Sequence, residues 1–217
     1  MVPQISQLSP QQVIVYIDGF NFYYGAVKDT PYKWINLDAM CRLLLPDFQN
    51  IKIKYFTARI VPRPQDPHQS GRQETFLRAL WTLPSIEIIF GSFLSHTRTK
   101  PLAASLPDKP QYVDVLITEE KGSDVNIATH LIHDAHLGRY DLAVLVSNDS
   151  DLAEPLRIAR HELGFPIGLL NPHKKPSREL LQYSTFYKAI RKGVLAASQF
   201  PPVMKDAKGT FHKPGTW

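Results

Sequence analysis

Cysteine is nearly absent: Cys41 is the single one among 217 residues. It can close no internal disulfide and supply no cysteine-based zinc cage. Long apolar runs are missing too, and no stretch approaches the ~18 residues of a membrane span. The opening MVPQISQLSP has neither the basic n-region nor the apolar core of a secretory leader. Glycine-rich phosphate loops of the P-loop or G-x-G-x-x-G type do not occur, which leaves nucleotide-cofactor binding without support. These absences predict a cytoplasmic protein with no membrane partner, and they make the Asn148-Asp149-Ser150 sequon a chance match. Strong charge of one sign is also lacking, with 25 Lys+Arg against 20 Asp+Glu and a net charge of +5. A hydrophobic share of 43% with 21% charged residues is ordinary for a globular chain and excludes general disorder. The length fits one α/β domain with short extras.

The positive excess is local. From Lys188 to Trp217, Lys188, Arg191, Lys192, Lys205, Lys208 and Lys213 face one acid, Asp206, so the rest of the chain is close to neutral. Residues 188–217 therefore read as a basic C-terminal tail, residues 1–12 as an N-terminal extension, and residues 13–187 as the domain. Such a tail suits contact with a polyanion, and a solvated extension explains it equally well.

What is present is an alternation of strand and helix patterns. Gln12–Ile17 (QVIVYI) is a continuous apolar, β-branched run, as expected of a strand buried on both faces of a parallel sheet. Leu37–Leu45 has helical spacing; Ile51–Val61 alternates as a strand; His68–Leu83 is helical; Ile86–Phe90 is a strand. Ser92–Gln111 carries Pro101, Pro107 and Pro110 and reads as irregular, a lid or a hairpin. Tyr112–Thr118 fits a short strand and Ser123–Leu137 a helix with a Ser cap. Leu142–Val146 is a strand, Leu152–Leu163 a helix stopped by Gly164, and Phe165–Leu170 the last clear strand. This order predicts an α/β fold with a mainly parallel sheet and helices on both faces. Ligands in such sheets bind beyond the carboxyl ends of the strands, near a switch in strand order.

Two strand exits carry carboxylates: VYIDGFN places Asp18 at the first, and VSNDSD places Ser147, Asp149 and Asp151 at another. Asp124 begins the helix SDVNIATHLIHDA. At ~100° per residue, Ile127, Ala128, Leu131 and Ala135 lie within about 60° of it, so its face is expected to be buried. Each acid alone is also explained by a helix cap, an Asx turn or the helix macrodipole. Four together, with no cysteine, predict a hard-cation site for Mg²⁺ or Mn²⁺. Such ions activate water and stabilise in-line phosphoryl displacement, which makes phosphodiester chemistry the expectation.

The segments VYIDGFNFYYG, EKGSDVNIATHLIHDA and YDLAVLVSNDSDLAEPLRIARHELG resemble the signature blocks of the NYN domain family, a LabA-like branch of the PIN-like nuclease superfamily. The likeness runs from about Val13 to Leu170. It implies a PIN-like three-layer fold, an acidic metal site and endoribonuclease activity on RNA. By position it implies Asp18, Asp124, Asp149 and Asp151 as the acidic metal residues and Asn21 as a nearby catalytic amide. Asn148 stands where the related pattern more often has Gly, so the turn carrying Asp149 is expected to differ.

Other residues have weaker signals. Arg59, Arg72, Lys121 and Ser147 are candidate nucleic-acid contacts, although surface solvation explains each basic residue as well. Phe22, Tyr23 and Tyr24 either stack bases or pack the first helix. His130, His133 and Asp134 have metal-like helical spacing, but their angles of about 240°, 180° and 280° point to a solvated polar face. Ser147 has no evident His partner, so Ser-based nucleophilic catalysis is not expected. Two alternatives to a metal-dependent ribonuclease stand: a non-catalytic RNA-binding or adaptor module, and a haloacid dehalogenase-type phosphatase. The latter is disfavoured because Phe20 occupies the position of its second Asp. A homo-oligomer is left open.

Overall fold

The computed structural model describes residues 12–62, 66–103 and 111–217. Most of the N-terminal extension, Pro107 and Pro110 lie outside the described residues. The chain starts with β1 (Val13–Asp18), then α1 (Gly19–Phe22), which continues as a wide turn over Tyr23–Val27. Next come α2 (Leu37–Leu44), β2 (Ile51–Thr57), α3 (Gln69–Leu80) and β3 (Ile86–Phe90). An extended pair follows, β4 (Ser92–Pro101) and β5 (Tyr112–Lys121), and then α4 (Ser123–His136) and β6 (Leu142–Val146). The remainder is α5 (Ala153–Arg157), β7 (Ile167–Asn171), α6 (Arg178–Leu181), β8 (Phe186–Ala189), α7 (Lys192–Ala197), β9 (Val203–Asp206) and β10 (Gly209–His212).

Six strands form one sheet in the order β3-β2-β1-β6-β7-β8, and every pairing in it is parallel. The expected α/β sheet with helices on both faces is therefore observed. All six residues of β1 are buried, because their side chains alternate between two apolar layers. Val13, Val15 and Ile17 pack towards one layer with Trp34, Met40 and Leu77; Ile14 and Tyr16 pack towards the other with Ile127, Leu131 and Leu156. Truncating a fully buried side chain such as Ile17 to Ala typically costs about 2–5 kcal/mol. The strand order reverses between β1 and β6, where Ile17 faces Val146. Asp18 and Ser147 leave the sheet side by side at that point.

Several sequence expectations need correction. For Ser92–Gln111 the hairpin alternative holds and the irregular reading does not as far as Pro101: β4 pairs antiparallel with β5 from Ser92↔Lys121 to Pro101↔Tyr112. Pro101 ends its strand, where a missing N–H disrupts no pairing beyond it. The cap of α4 is Gly122, at φ 96°, and Ser123 is the first helical residue. Its N–H and Oγ both donate to Glu120 Oε1, at 3.1 and 2.8 Å.

The predicted solvated face of α4 is half wrong. His133 is exposed, but Asp134 is fully buried, while Asp124 is exposed. Asp134 accepts from Lys54 Nζ (2.6 Å), Tyr16 Oη (2.8 Å) and an Arg139 guanidinium nitrogen (3.0 Å). Lys54 lies on the β2 face opposite Ile53 and Tyr55, so strand alternation aims it at α4. Burial pulls the Asp134 carboxyl upward, but the three donors outweigh it and hold the group below the usual carboxylate range. His130 Nδ1 lies 3.2 Å from Lys54 Nζ. Burial and the lysine charge lower the pKa of that imidazole.

Residues 188–217 are folded, not a solvated extension. Leu195, Phe200 and Phe211 enter the core, and Trp217 packs on Trp34 and Phe76. Arg78 of α3 donates two hydrogen bonds to Asp206 of β9, at 2.7 and 2.6 Å.

Candidate functional site

The sheet's carboxyl edge gathers the acids. Asp18 ends β1 at 5% exposure, and its Oδ1 accepts from the Asn21 N–H at 2.9 Å. Its Oδ2 accepts from Ser147 Oγ at 3.1 Å. Gly19 is required next to it, because a Cβ there would stand 2.6 Å from the Phe56 carbonyl oxygen. Asp149 follows β6; its N–H donates to Ser147 Oγ, and its Oδ1 caps the Asp151 N–H at 3.0 Å. Asp124 approaches from the N-terminal turn of α4.

The charges of these groups are felt mutually. Burial, opposed by the Asn21 hydrogen bond and reinforced by the negative charges of Asp124 and Asp149, pushes the Asp18 carboxyl up to about 6. Partial desolvation raises Asp124 as well, although the residue as a whole is exposed, and Asp149, Glu120 and Asp151 add to the effect. Asp18, Asp124, Asp149 and Asp151 thus form one acidic neighbourhood. Among the described residues, no three His, Cys, Asp or Glu side chains stand close enough to make a finished metal cage. Both Asp18 oxygens accept hydrogen bonds, and one Asp149 oxygen turns back to its own chain. The oxygen-only donor set nevertheless suits a hard divalent cation, whose charge would offset the repulsion.

Asn21 serves the same edge. Its backbone holds Asp18, and its side-chain Oδ1 accepts from the Asn148 N–H at 2.9 Å and faces His173 Nε2 at 3.1 Å. Asn148 shapes the Asp149 turn through its side chain, which accepts from the Ser177 N–H (2.6 Å) and donates to the Lys175 carbonyl (3.1 Å). His173 and Glu120 were not singled out from sequence. His173 stands just past the carboxyl end of β7, where the strand-exit rule used for Asp18 could have found it. Of the expected phosphate contacts, Ser147 joins the site directly. Arg59 is paired with Glu74, Arg72 with Asp66 and Lys121 with Glu119, so the three cations are neutralised by acids.

Beside this edge lies a cavity of about 340 Å³. Its wall includes Gly19 and Phe20, which directly follow Asp18, together with Tyr23, Tyr24, Arg72 and Glu120.

Comparison with known proteins places these features in context. The NYN domain family matches residues 12–190, a span that takes in the whole six-stranded sheet. The 6-hydroxy-3-succinoylpyridine 3-monooxygenase HspA of Pseudomonas putida is 34% identical over 238 aligned residues, covering 96% of this chain and 76% of that protein. A protein of unknown function from Vibrio parahaemolyticus has a similar fold, with a TM-score of 0.54 at 15% identity. That likeness covers 89% of this chain and all of the other.

Proposed function

The chain belongs to the NYN domain family, and from that premise we propose that it is a metal-dependent endoribonuclease acting at the carboxyl edge of β1 and β6. The observation that carries this reading is Asp18: a buried carboxylate at the strand-order switch, flanked by two more carboxylates and by no described cation. Asp18, Asp124 and Asp149 would hold Mg²⁺ or Mn²⁺, with Asp151 supporting them. When bound, the ion supplies positive charge to phosphoryl oxygens and acidifies a water. Ser147 fixes the Asp18 rotamer through Oδ2, and Asn21 fixes it through Oδ1. The Asn21 amide and His173 then tie the β1 exit to the β6 and β7 exits. Incubating purified protein with several RNAs in Mn²⁺, Mg²⁺ or EDTA tests the reading. Metal-dependent cleavage that EDTA stops is expected. RNA binding with no cleavage in any metal would leave a non-catalytic RNA-binding module instead.

The aromatic cavity favours a second reading, in which the chain acts on a small heteroaromatic acid. The Pseudomonas putida relative is named for a hydroxypyridine substrate. Monooxygenation requires O₂ and a two-electron donor, so consumption of 6-hydroxy-3-succinoylpyridine with both supplied is the discriminating assay.

A further inference from the structure

The cavity beside Asp18 is built from segments far apart in sequence. Tyr23 and Tyr24 come from the turn after α1, Arg72 and Phe76 from α3, Phe93 from β4, and Trp217 from the end of the chain. Its volume of about 340 Å³ falls within the range of small-molecule sites. Several of the lining rings pack edge-on against one another. Phe20 meets Phe93 edge-on at 5.5 Å, Tyr23 meets Tyr24 at 5.3 Å, and Phe76 meets Trp217 at 5.8 Å. Aromatic walls of this kind accept a flat ring by offset stacking or edge contact. Tyr24 remains 54% exposed at the mouth, so the wall is reached from solvent.

The polar groups are unevenly placed. Lys33, Arg72 and Asp66 line the cavity, and Arg72 is already paired with Asp66. Lys33 is therefore the cation better placed to receive an anion. Glu120 lines the side that leads to the carboxylates, and its negative charge acts on Asp124. An anionic ligand would hence be repelled by Glu120 and drawn to Lys33.

We propose that this cavity binds a planar heteroaromatic ring bearing an anionic substituent, with the ring between the tyrosine and phenylalanine walls and the anion at Lys33. Two sources share that chemistry: one nucleotide of an RNA strand, and a free heteroaromatic acid. The site deepens the readings above but depends on neither, because it is tested by binding and not by turnover.

The experiment titrates the full chain with AMP, UMP, 6-hydroxynicotinate, nicotinamide (an aromatic ring without the anion) and ribose 5-phosphate (an anion without an aromatic ring). Calorimetry is followed together with the tryptophan fluorescence, to which Trp217 in the wall contributes. The ring-bearing anions are expected to bind saturably, and ribose 5-phosphate is not. Lys33→Gln should weaken the ring-bearing anions by about tenfold, the scale of one charge-assisted contact, and leave nicotinamide unchanged. Tyr24→Ala should weaken all ring compounds, while His133→Ala, exposed on α4 and outside the wall, should weaken none. Preference for AMP or UMP assigns the site to RNA; preference for 6-hydroxynicotinate assigns it to a free acid. Melting curves confirm that the variants fold. No saturable binding of any ring compound at 10 mM (roughly the millimolar limit of a specific site) would overturn the proposal. Equal binding of ribose 5-phosphate, or binding unaffected by either wall variant, would do the same. Absent RNA cleavage with intact ring binding would sink the nuclease reading alone.

Discussion

Asp18 and Asp134 are both buried and both belong to the environment of β1, yet the fold treats them in opposite ways. Asp134 is bonded to Tyr16, two residues before Asp18 on the same strand, and two cations complete its shell. Asp18 is given one backbone N–H and one hydroxyl, and its charged neighbours are carboxylates. The first carboxyl is held below its ordinary range and the second is pushed up to about 6. A buried charge that the chain itself neutralises holds elements together. One left uncompensated at a strand-order switch asks for a positive charge from outside, and that difference marks the working edge of the sheet.

The largest expected effect breaks the compensated side. Asp134→Ala leaves Lys54 buried without its carboxylate, and removing one partner of a buried pair costs about 3–5 kcal/mol. Chemical denaturation should show that loss directly. A loss below about 1 kcal/mol, the scale of an exposed pair, would mean that the network does not dock α4. On the uncompensated side, Asp18→Asn and Asp149→Asn should preserve folding and reduce RNA cleavage on the order of a hundredfold or more, since a catalytic metal contributes several kcal/mol. Equal cleavage by wild type and both variants would place the activity elsewhere.

Acid should separate the two sides further. His130 has a lowered pKa beside Lys54, so its stabilising neutral form is lost as pH falls from about 6.5 through the folded value. Asp134 has a lowered pKa as well; its contribution is full above about 3.9 and disappears as pH falls through its folded value. Tyr16, whose hydroxyl is pushed up by burial and by the charge of Asp134, stays protonated throughout that range. Asp18, pushed up to about 6, acts in the opposite sense, since its protonation as pH falls relieves a buried charge. In an Asp18→Asn background stability measured against pH should thus fall in two steps, and adding Asp134→Asn should remove the lower one. The smallest effect belongs to His133→Ala. Its side chain is exposed, so stability should change by less than about 0.5 kcal/mol and cleavage should not change.

The sequence made the uncompensated side more legible than the compensated one, for a physical reason. Asp18 and Ser147 follow apolar β-branched runs, and a strand exit is a local signal. Asp134 is polar, and its helix angle alone sent it to solvent; the lysine that makes its burial tolerable is 80 residues away. The same limit hid the C-terminal segment. Its six basic residues are local and visible, whereas Phe211 and Trp217 acquire meaning only through contacts with Arg78, Trp34 and Phe76. Asp124 was misjudged because a helical wheel reports the direction of a side chain and not what stands opposite it.

The most direct test is thermal melting of wild type and Asp18→Asn, each with millimolar Mn²⁺ and with EDTA. Ligand that binds only the folded state raises the melting temperature. Mn²⁺ should therefore stabilise the wild type and leave Asp18→Asn unmoved, and in EDTA the variant, freed of an uncompensated buried charge, should melt at or above the wild type. A wild type indifferent to Mn²⁺, together with an Asp18→Asn variant that melts well below it in EDTA, would show that Asp18 is a structural carboxylate like Asp134 and that this edge is not a metal site.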